Sequence, residues 1–433
     1  NAMEEIRKTI YKPSSAWVGW TPSTTPLPGD APLTEGSAPS VRSYRLKAPA
    51  LSLNGEGGQR SWSEIVVDMP NCLKDGTGEQ WYRIRSLGAA DIPGGRVVAG
   101  EKIDNALRKF SLVSDRRTGQ RVAGPQSTRM IEAIAKPVGA FRLALLAIDR
   151  VDLTDQNIVV DSYNSRDTAK STNGRYDPAK RQENGDVATN CEAIQAGRAQ
   201  IYGDAMTNGG TVFDSDNVTG EIRDDFYQSS FAVRRPDVAP DAGTPAFVRS
   251  SATLTALPGK PSNYQLSTLD LSGNEVLAIK GAPDGSPTYI QIIVTGNISV
   301  TGGQAAIKLD PGVYARIFVE GDANIAGRGF INPNSALHLQ IYGVDPATRS
   351  TTSTLAIPGK ITIAGNGGFS GAIYAPSYDV ALKGGGTTDS IFGAIVGKTI
   401  TMTGVQSVHY DEALARAGLI TDFKIASWFE DER

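Results

Sequence analysis

The sequence predicts an all-β protein, a right-handed parallel β-helix (solenoid) preceded by a smaller antiparallel sheet, with little helix. Three observations predict it: short glycine-terminated strands recur in the C-terminal half, alternating runs fill residues 61–136, and Gly (47) and Pro (24) supply many turns. We therefore divide the chain into an N-terminal arm (1–60), a small antiparallel sheet (61–136) and a parallel β-helix (137–433).

Residues 1–60 are rich in Pro, Ser, Thr and Gly, which predicts an extended N-terminal arm. Asn1-Ala2 before Met3 is typical of residues left by cloning, so we expect a native segment to precede this sequence.

Residues 61–136 contain three runs in which apolar and polar side chains alternate. They are Ser61–Val67, Trp81–Ser86 and Thr128–Lys136. Period-two alternation with aromatic and β-branched residues is typical of half-buried antiparallel strands, so these runs predict one small sheet.

An internal repeat of about 20 residues is the most informative feature of the chain. The repeated short strands are Ile298–Gly302, Ala323–Gly327, Ile361–Gly365, Val380–Gly384 and Ile400–Gly404, with Gly371–Tyr374 echoed by Gly393–Val396. Each strand directs alternate apolar side chains inward, and glycine permits the positive φ needed at a corner. Stacked turns would bury one inner column and satisfy each other's backbone hydrogen bonds.

An antiparallel sandwich with glycine-rich hairpins is the alternative fold. The near-constant spacing, without Asn-Gly pairs between the strands, favours the parallel β-helix. Residues 234–263 hold five prolines and are interpreted as an excursion between turns. Residues 405–433 are interpreted as a C-terminal cap, with a short helix at Asp411–Gly418 and a strand at Asp422–Trp428.

Charge and composition argue against several functions. The net charge is −3 and the basic residues are scattered, whereas a nucleic-acid-binding protein usually carries a basic patch. No apolar run reaches the length of about 18 residues that spans a membrane. Cys72 and Cys191 are interpreted as two buried thiols, with a long-range disulfide in an oxidising compartment as the alternative.

Two polar segments contain residue types that bind metal ions. His409-Tyr410-Asp411-Glu412 gathers potential ligands, but neighbouring strand residues point in opposite directions, which favours a structural role. Asp161–Ser165, with Asp167 and Asp177 nearby, offers oxygen ligands for calcium, but a hydrogen-bonded loop is the favoured interpretation.

Signals of catalysis are weak. Asp224-Asp225 is a carboxylate pair outside the regular repeat, and His338 is expected to face outward from its strand. Tyr374, Tyr378 and Phe392 offer a platform on which sugar rings would stack, with a core or surface ladder as the commoner alternative. We assign no catalytic, cofactor-binding or metal-binding residue and predict that the protein is not an enzyme.

Several segments together resemble the C-terminal part of bacterial PilX-like, type IV pilus-associated and prepilin-like proteins. They are Phe369–Pro376, Val380–Leu382, Phe392–Lys398, His409–Leu414, Val160–Ser165, Asp186–Asn190 and Tyr82–Gly88. The resemblance implies export to the periplasm, envelope or surface of a bacterium. It also implies a membrane-anchoring N-terminal helix and protein partners in the pilus or envelope, and it brings no established catalytic residue.

The expected function is therefore that of a non-catalytic, exported structural or adhesive protein, with surface glycans as further candidate ligands. A polysaccharide-binding or polysaccharide-degrading β-helix protein is the alternative, and a self-assembling solenoid polymer similar to bactofilins is a third hypothesis. The charged tail and the expected cap argue against the third.

Overall fold

The computed structural model describes residues 3, 6, 21–22, 44–53, 59–68, 81–91, 126–155, 158–191, 193–228, 233–258, 260–284, 288–349, 359–364, 368–384, 390–404, 407–418 and 420–432. The chain forms two compact units, Asn1–Val138 with Asp422–Arg433, and Gly139–Thr421. None of the helices in these residues is long and apolar enough to cross a membrane.

The first unit contains one six-stranded sheet in the order β1-β2-β3-β4-β5-β29. Its strands are β1 (Thr21–Pro22), β2 (Tyr44–Leu53), β3 (Gln59–Asp68), β4 (Tyr82–Asp91), β5 (Gln126–Gly139) and β29 (Ile420–Glu432). Strands β1 to β5 pair antiparallel with their neighbours, which confirms the predicted sheet. Strand β2 extends that sheet into residues 1–60, so the prediction of an extended arm is wrong for this stretch.

Both faces of this sheet carry buried apolar side chains, because the neighbouring residues Val66 and Val67 belong to two different buried clusters. Val67, Ala135 and Phe423 form a buried cluster with Ile6, and the ring of Tyr82 meets that of Phe423 edge-on at 5.3 Å. On this face the apolar side chains of three strands pack against an N-terminal helical residue.

The second unit is almost entirely parallel β-structure. Its strands are β6 (Leu145–Asp152), β7 (Val159–Tyr163), β8 (Val187–Thr189), β9 (Ala193–Gln195), β10 (Gln200–Ile201), β11 (Ala205–Met206), β12 (Thr211–Phe213), β13 (Ile222–Arg223), β14 (Ala252–Thr255), β15 (Ser262–Leu266), β16 (Leu269–Leu271), β17 (Val276–Lys280), β18 (Thr288–Val294), β19 (Ile298–Val300), β20 (Ala306–Leu309), β21 (Val313–Val319), β22 (Ala323–Ile325), β23 (Gly329–Ile331), β24 (Leu339–Gly343), β25 (Gly359–Ala364), β26 (Phe369–Lys383), β27 (Ser390–Thr403) and β28 (Ser407–Asp411). Its helical elements in the described residues are 3₁₀ turns at Pro178–Lys180, Ser215–Asn217, Ala336–His338, Pro346–Thr348 and Glu412–Arg416.

A 19-stranded sheet and a four-stranded sheet (β14-β17-β20-β23) hold these strands. One inner position of the larger sheet carries aliphatic side chains that stack in register from strand to strand. The ladder runs through Ile292, Ile317, Ile341, Ile373, Ile395, Leu145 and Val187, all of them buried. The unit is therefore stabilised by repeated burial of similar apolar side chains, at about 1.5–3 kcal/mol for each.

The predicted repeat is confirmed residue by residue. Ile361 lies opposite Val380, and Val380 lies opposite Ile400. The echoed segments Gly371–Tyr374 and Gly393–Val396 also lie opposite each other in parallel register. The antiparallel alternative is therefore wrong for this part of the chain.

The order of strands in the larger sheet does not follow the chain. Strand β27 pairs with β6, and β28 pairs with β7, so the last strands of the unit lie beside the first. Strands β8 to β13 continue the sheet away from β6, while β15 lies far along the opposite side. Residues 137–232 and 264–409 thus contribute to one sheet.

The proline-rich excursion, residues 234–263, contributes β14 to the four-stranded sheet and the first residues of β15 to the larger one. Val233 bridges to Val344, and Val248 bridges in parallel to Leu269 of β16. A proline lacks the N–H that a further strand would need, so prolines suit the outermost level of a sheet.

The residues predicted as a cap, 405–433, are divided between the two units. β28 lies between β27 and β7 inside the larger sheet, and β29 joins the antiparallel sheet of the first unit. The helix expected at Asp411–Gly418 is a 3₁₀ turn, Glu412–Arg416, whose first turn is capped by Asp411.

A tight glycine contact in the second unit supports a stability prediction. A Cβ on Gly343 would lie 2.6 Å from Cδ2 of Tyr378 and 2.7 Å from the Cβ of Ala375. We expect Gly343→Ala to lower the free energy of unfolding by about 2 kcal/mol through overpacking, measured by chemical denaturation. Gly303→Ala is the matched control, because no atom lies within 4 Å of its Cβ position, and equal losses in both variants would contradict the prediction.

Candidate functional site

The two polar segments Asp161–Ser165 and His409–Glu412 lie side by side in the structure. Strand β28 pairs in parallel with β7, which places His409 opposite Asp161, Tyr410 opposite Ser162 and Asp411 opposite Tyr163. We call the resulting group of Asp161, Ser162, Tyr176, His409, Asp411 and Glu412 the junction cluster. It is a candidate functional site because, in the described part of the second unit, it contains three of the four buried Asp, Glu and His side chains.

Asp161 is the centre of the cluster. Its side chain is buried, its Oδ1 lies 2.6 Å from Nδ1 of His409, and its Oδ2 accepts a hydrogen bond of 2.6 Å from the hydroxyl of Tyr176. Both oxygens of this side chain are therefore engaged in hydrogen-bond contacts. Burial and the bond to Asp161 raise the pKa of the Tyr176 hydroxyl, so this group stays protonated at neutral pH.

Aromatic rings cover His409. The Tyr176 ring stacks on the imidazole at a centroid distance of 3.7 Å and an angle of 21°, and the Phe392 ring lies 5.2 Å from it. His409 is only 7% exposed. This packing leaves the imidazole little room for an incoming ligand.

The Glu412 carboxylate forms polar contacts with three further segments of the chain. Its Oε1 accepts hydrogen bonds from Oγ of Ser162 at 3.0 Å and Nδ2 of Asn184 at 2.6 Å, and Nζ of Lys170 lies 3.4 Å from Oε2. Ser162 Oγ therefore donates to a glutamate and is not paired with His409. In the described ranges of the chain, no serine hydroxyl is hydrogen-bonded to His409 as a catalytic triad requires.

Asp411 is fully buried. Its Oδ1 accepts the N–H groups of Ser165 at 2.9 Å and Ala413 at 3.2 Å, while Oδ2 has no hydrogen-bond partner among the described residues. Burial raises the pKa of this carboxyl group, and the bonds from Ser165 oppose the shift. The described residues contain no group of three His, Cys, Asp or Glu side chains arranged to hold a metal ion.

The raised pKa of Asp411 predicts a pH dependence. A folded state that holds this proton more tightly than the unfolded chain loses stability as pH rises from the usual carboxyl range through the raised pKa. The amide of the variant Asp411→Asn does not titrate in this range, so the variant does not lose stability in this way. We expect the stability of the variant relative to the wild type to increase between about pH 4 and pH 7, measured by denaturation at each pH. A constant difference would contradict the prediction.

A second feature, on the outer surface, is an aromatic ladder of Tyr289, Tyr314 and His338. The Tyr289 and Tyr314 rings stack at 5.1 Å, and the Tyr314 and His338 rings at 4.0 Å. His338 is half-buried, and burial lowers the pKa of its imidazole. Tyr289 is 52% exposed. Because the rings stack on one another, the ladder presents mainly ring edges to the solvent.

The other sequence candidates lie apart from the junction cluster. Tyr374 and Tyr378 are buried in the core, which agrees with the commoner alternative given for them and not with a platform for sugar rings. Asp224 and Asp225 are exposed beyond β13. Cys191 is an exposed free thiol, which corrects the interpretation as a buried one, and Cys72 lies outside the described residues.

Tyr176 was missed by the sequence interpretation, although the adjacent Asp177 was considered. Its contact depends on residues 164–182 folding back over β7, which the antiparallel bridge between Ser162 and Gln182 fixes. No periodic pattern in the sequence indicates that residues 164–182 fold back over β7.

Comparisons with known proteins add little about function. A model described as a domain of unknown function (DUF7305) matches residues 262–417, less than half of the chain. No curated protein matches. Among solved structures, the competence-associated pilin ComZ from Thermus thermophilus is similar at 10% identity, over 90% of this chain and 88% of that chain, with a TM-score of 0.27. At that TM-score the likeness supports no argument about fold or function.

Proposed function

We propose that the protein is a non-catalytic structural protein, exported to the bacterial envelope and associated with pili, with an adhesive role at the surface. In this proposal the second unit is a right-handed parallel β-helix that acts as a rigid spacer, and the first unit contacts an anchor or a partner.

The junction cluster is the observation that carries the proposal. Its buried polar atoms bond mainly to one another and to the backbone, across strands from both ends of the second unit. The carboxylates and the imidazole of the junction cluster, which are common catalytic groups in enzymes, here hold β7 against β28. A buried network whose polar groups are mostly hydrogen-bonded rigidifies a fold.

The sequence resemblance to PilX-like and prepilin-like proteins supports the location. It includes Val160–Ser165 and His409–Leu414, which contain most of the junction cluster. The burial of Ile6 against the sheet of the first unit supports a role for the N-terminal segment in docking.

Fractionation of the native bacterium tests the location. Surface fibres are sheared from the cells, sedimented and probed with an antibody to the protein. We expect the protein in the fibre fraction of wild-type cells and its loss from that fraction in a strain that cannot assemble pili. Recovery only from the cytoplasm, or an unchanged distribution in the strain without pili, would overturn the proposal.

A polysaccharide-binding function is the second candidate, favoured by the aromatic ladder. The polar side chains of Gln291 and Arg316 lie two residues beyond Tyr289 and Tyr314 on the same strands and the same outer face. A glycan array tests binding, and release of reducing ends from the bound polysaccharides tests hydrolysis. Binding that Tyr289→Ala weakens would favour this candidate, and release of sugar ends would contradict the non-catalytic proposal.

A further inference from the structure

The outermost strand of the first unit has unusual side chains for a sheet edge. β29 is the last strand of the six-stranded sheet and has β5 as its neighbour in the described part of the chain. It is 13 residues long, and Ile425, Trp428 and Phe429 are 43%, 66% and 64% exposed. Its sequence contains no proline.

The middle of this edge favours pairing with another strand. The backbone N–H and C=O groups on the outer side of an edge strand are a template for strand addition, and proteins usually block long apolar edges with proline, bulges or charges. The charged residues of β29 lie towards its two ends and leave Ile425–Phe429 uncharged. Strand addition also buries exposed apolar side chains, and two large aromatic side chains are available here.

We propose that β29 pairs antiparallel with β29 of a second copy of this chain, with Ser427 of the two copies facing each other across a two-fold axis. This pairing joins the two six-stranded sheets into one sheet that crosses the dimer. The interface is isologous, because the same strand contributes on both sides.

The sequence of β29 is complementary to itself in this register. Lys424 faces Glu430 of the other copy, Ile425 faces Phe429, and Ala426 faces Trp428. Opposite charges and apolar pairs that face each other directly across antiparallel strands are each worth roughly 0.2–1 kcal/mol. Each of these pairs occurs twice in the dimer.

Other registers lose this complementarity. A two-fold axis perpendicular to the sheet keeps each side chain on its own face, so only registers that pair residues of the same parity are allowed. The next register in one direction places Lys424 opposite Trp428 and Ile425 opposite Ser427. The next in the other direction places Ala426 opposite Glu430 and Ser427 opposite Phe429. Both registers separate Lys424 from Glu430 and Ile425 from Phe429.

Glu430 already has an ion-pair partner on the other side of the strand. Nη1 of Arg129 on β5 lies 2.8 Å from Oε1 of Glu430. A carboxylate has two oxygens that accept hydrogen bonds, so Oε2 of Glu430 can accept from Lys424 of the second copy while Oε1 stays with Arg129.

Cysteine cross-linking of the purified chain tests the register. In a Cys72→Ser, Cys191→Ser background, Ser427→Cys places two thiols on directly opposed residues, whose Cα separation of about 4.5–5.5 Å suits a disulfide. Ile425→Cys is the matched control, since its two copies lie four residues apart along the strands, about 13 Å. We expect covalent dimers on mild oxidation of Ser427→Cys, and roughly tenfold fewer with Ile425→Cys.

Light scattering after size exclusion tests the association itself. We expect a concentration-dependent dimer of the unmodified chain, and at least a tenfold weaker dimer for Lys424→Glu, which faces Glu430 with a like charge. An unchanged denaturation midpoint of the Lys424→Glu monomer confirms that it is folded. A monomer at every concentration, which would leave the edge to a strand of another protein, overturns the proposal. So does a dimer that cross-links equally at 425 and 427.

Discussion

Asp161→Ala is expected to lower the free energy of unfolding by about 3 kcal/mol or more, one of the two largest losses among the single substitutions considered. The buried carboxylate accepts from both His409 and Tyr176, and hydrogen bonds to a charged group contribute about 1.5–3 kcal/mol each. Its removal also leaves two buried donors without their acceptor. Chemical denaturation followed by circular dichroism measures the effect.

The variant Asp161→Asn keeps the shape of the side chain and one acceptor oxygen, so it separates the effect of shape from that of the carboxylate. The amide oxygen still accepts one of the two bonds, and the imidazole of His409 can adopt its other tautomer, so we expect about half of the loss. Asp270→Ala is the control, since Asp270 is exposed on β16, and it should cost less than about 0.5 kcal/mol. Equal losses at Asp161 and Asp270 would show that the junction cluster does not hold the unit together.

Glu320→Ala is expected to cost about 3 kcal/mol. Glu320 is fully buried, and its Oε1 lies 3.6 Å from Nε of Arg235, a residue of the proline-rich excursion. Only Glu320 of this pair is fully buried, since the Arg235 side chain is 28% exposed. Removing Glu320 leaves the partly buried guanidinium poorly compensated, which costs more than the pair itself contributes. Denaturation measures the loss, and limited proteolysis should show earlier cleavage within residues 234–263.

The double variant Arg235→Met, Glu320→Leu provides the decisive comparison. Because it removes both charges and retains apolar volume, we expect it to recover most of the lost stability. Lys260→Ala breaks an ion pair with Asp241 whose lysine side chain is 61% exposed, and it should cost less than 1 kcal/mol. A double variant as unstable as Glu320→Ala would indicate that packing, and not charge, is what the pair supplies.

The parallel pairing of the second unit was predictable because the signal is local and repeated. Ile361, Val380 and Ile400 each begin a short strand that ends near a glycine, and similar residues at a fixed interval stack in register. The antiparallel sheet was equally visible in its alternating runs. Both signals depend only on which residues are apolar and how far apart they lie.

The junction cluster could not be predicted, because it depends on the order in which strands assemble. Asp161 and His409 are 248 residues apart, and neither segment carries a signal that specifies the other. Strand β2 was not predicted, because residues 1–60 are rich in Pro, Ser, Thr and Gly, which are typical of loops. The alternation in β29 identified a strand, but not the sheet that it joins.

The pairing of β6 with β27 has a consequence for folding during synthesis. The first strand of the second unit cannot complete its hydrogen bonds until almost the whole chain has left the ribosome, because its partner is made nearly last. Such high contact order slows folding, since a long loop must close before the contact is gained. In a nascent chain with this topology, β6 can pair with β8 and β9 on one side, while its other edge stays unpaired until β27 is made.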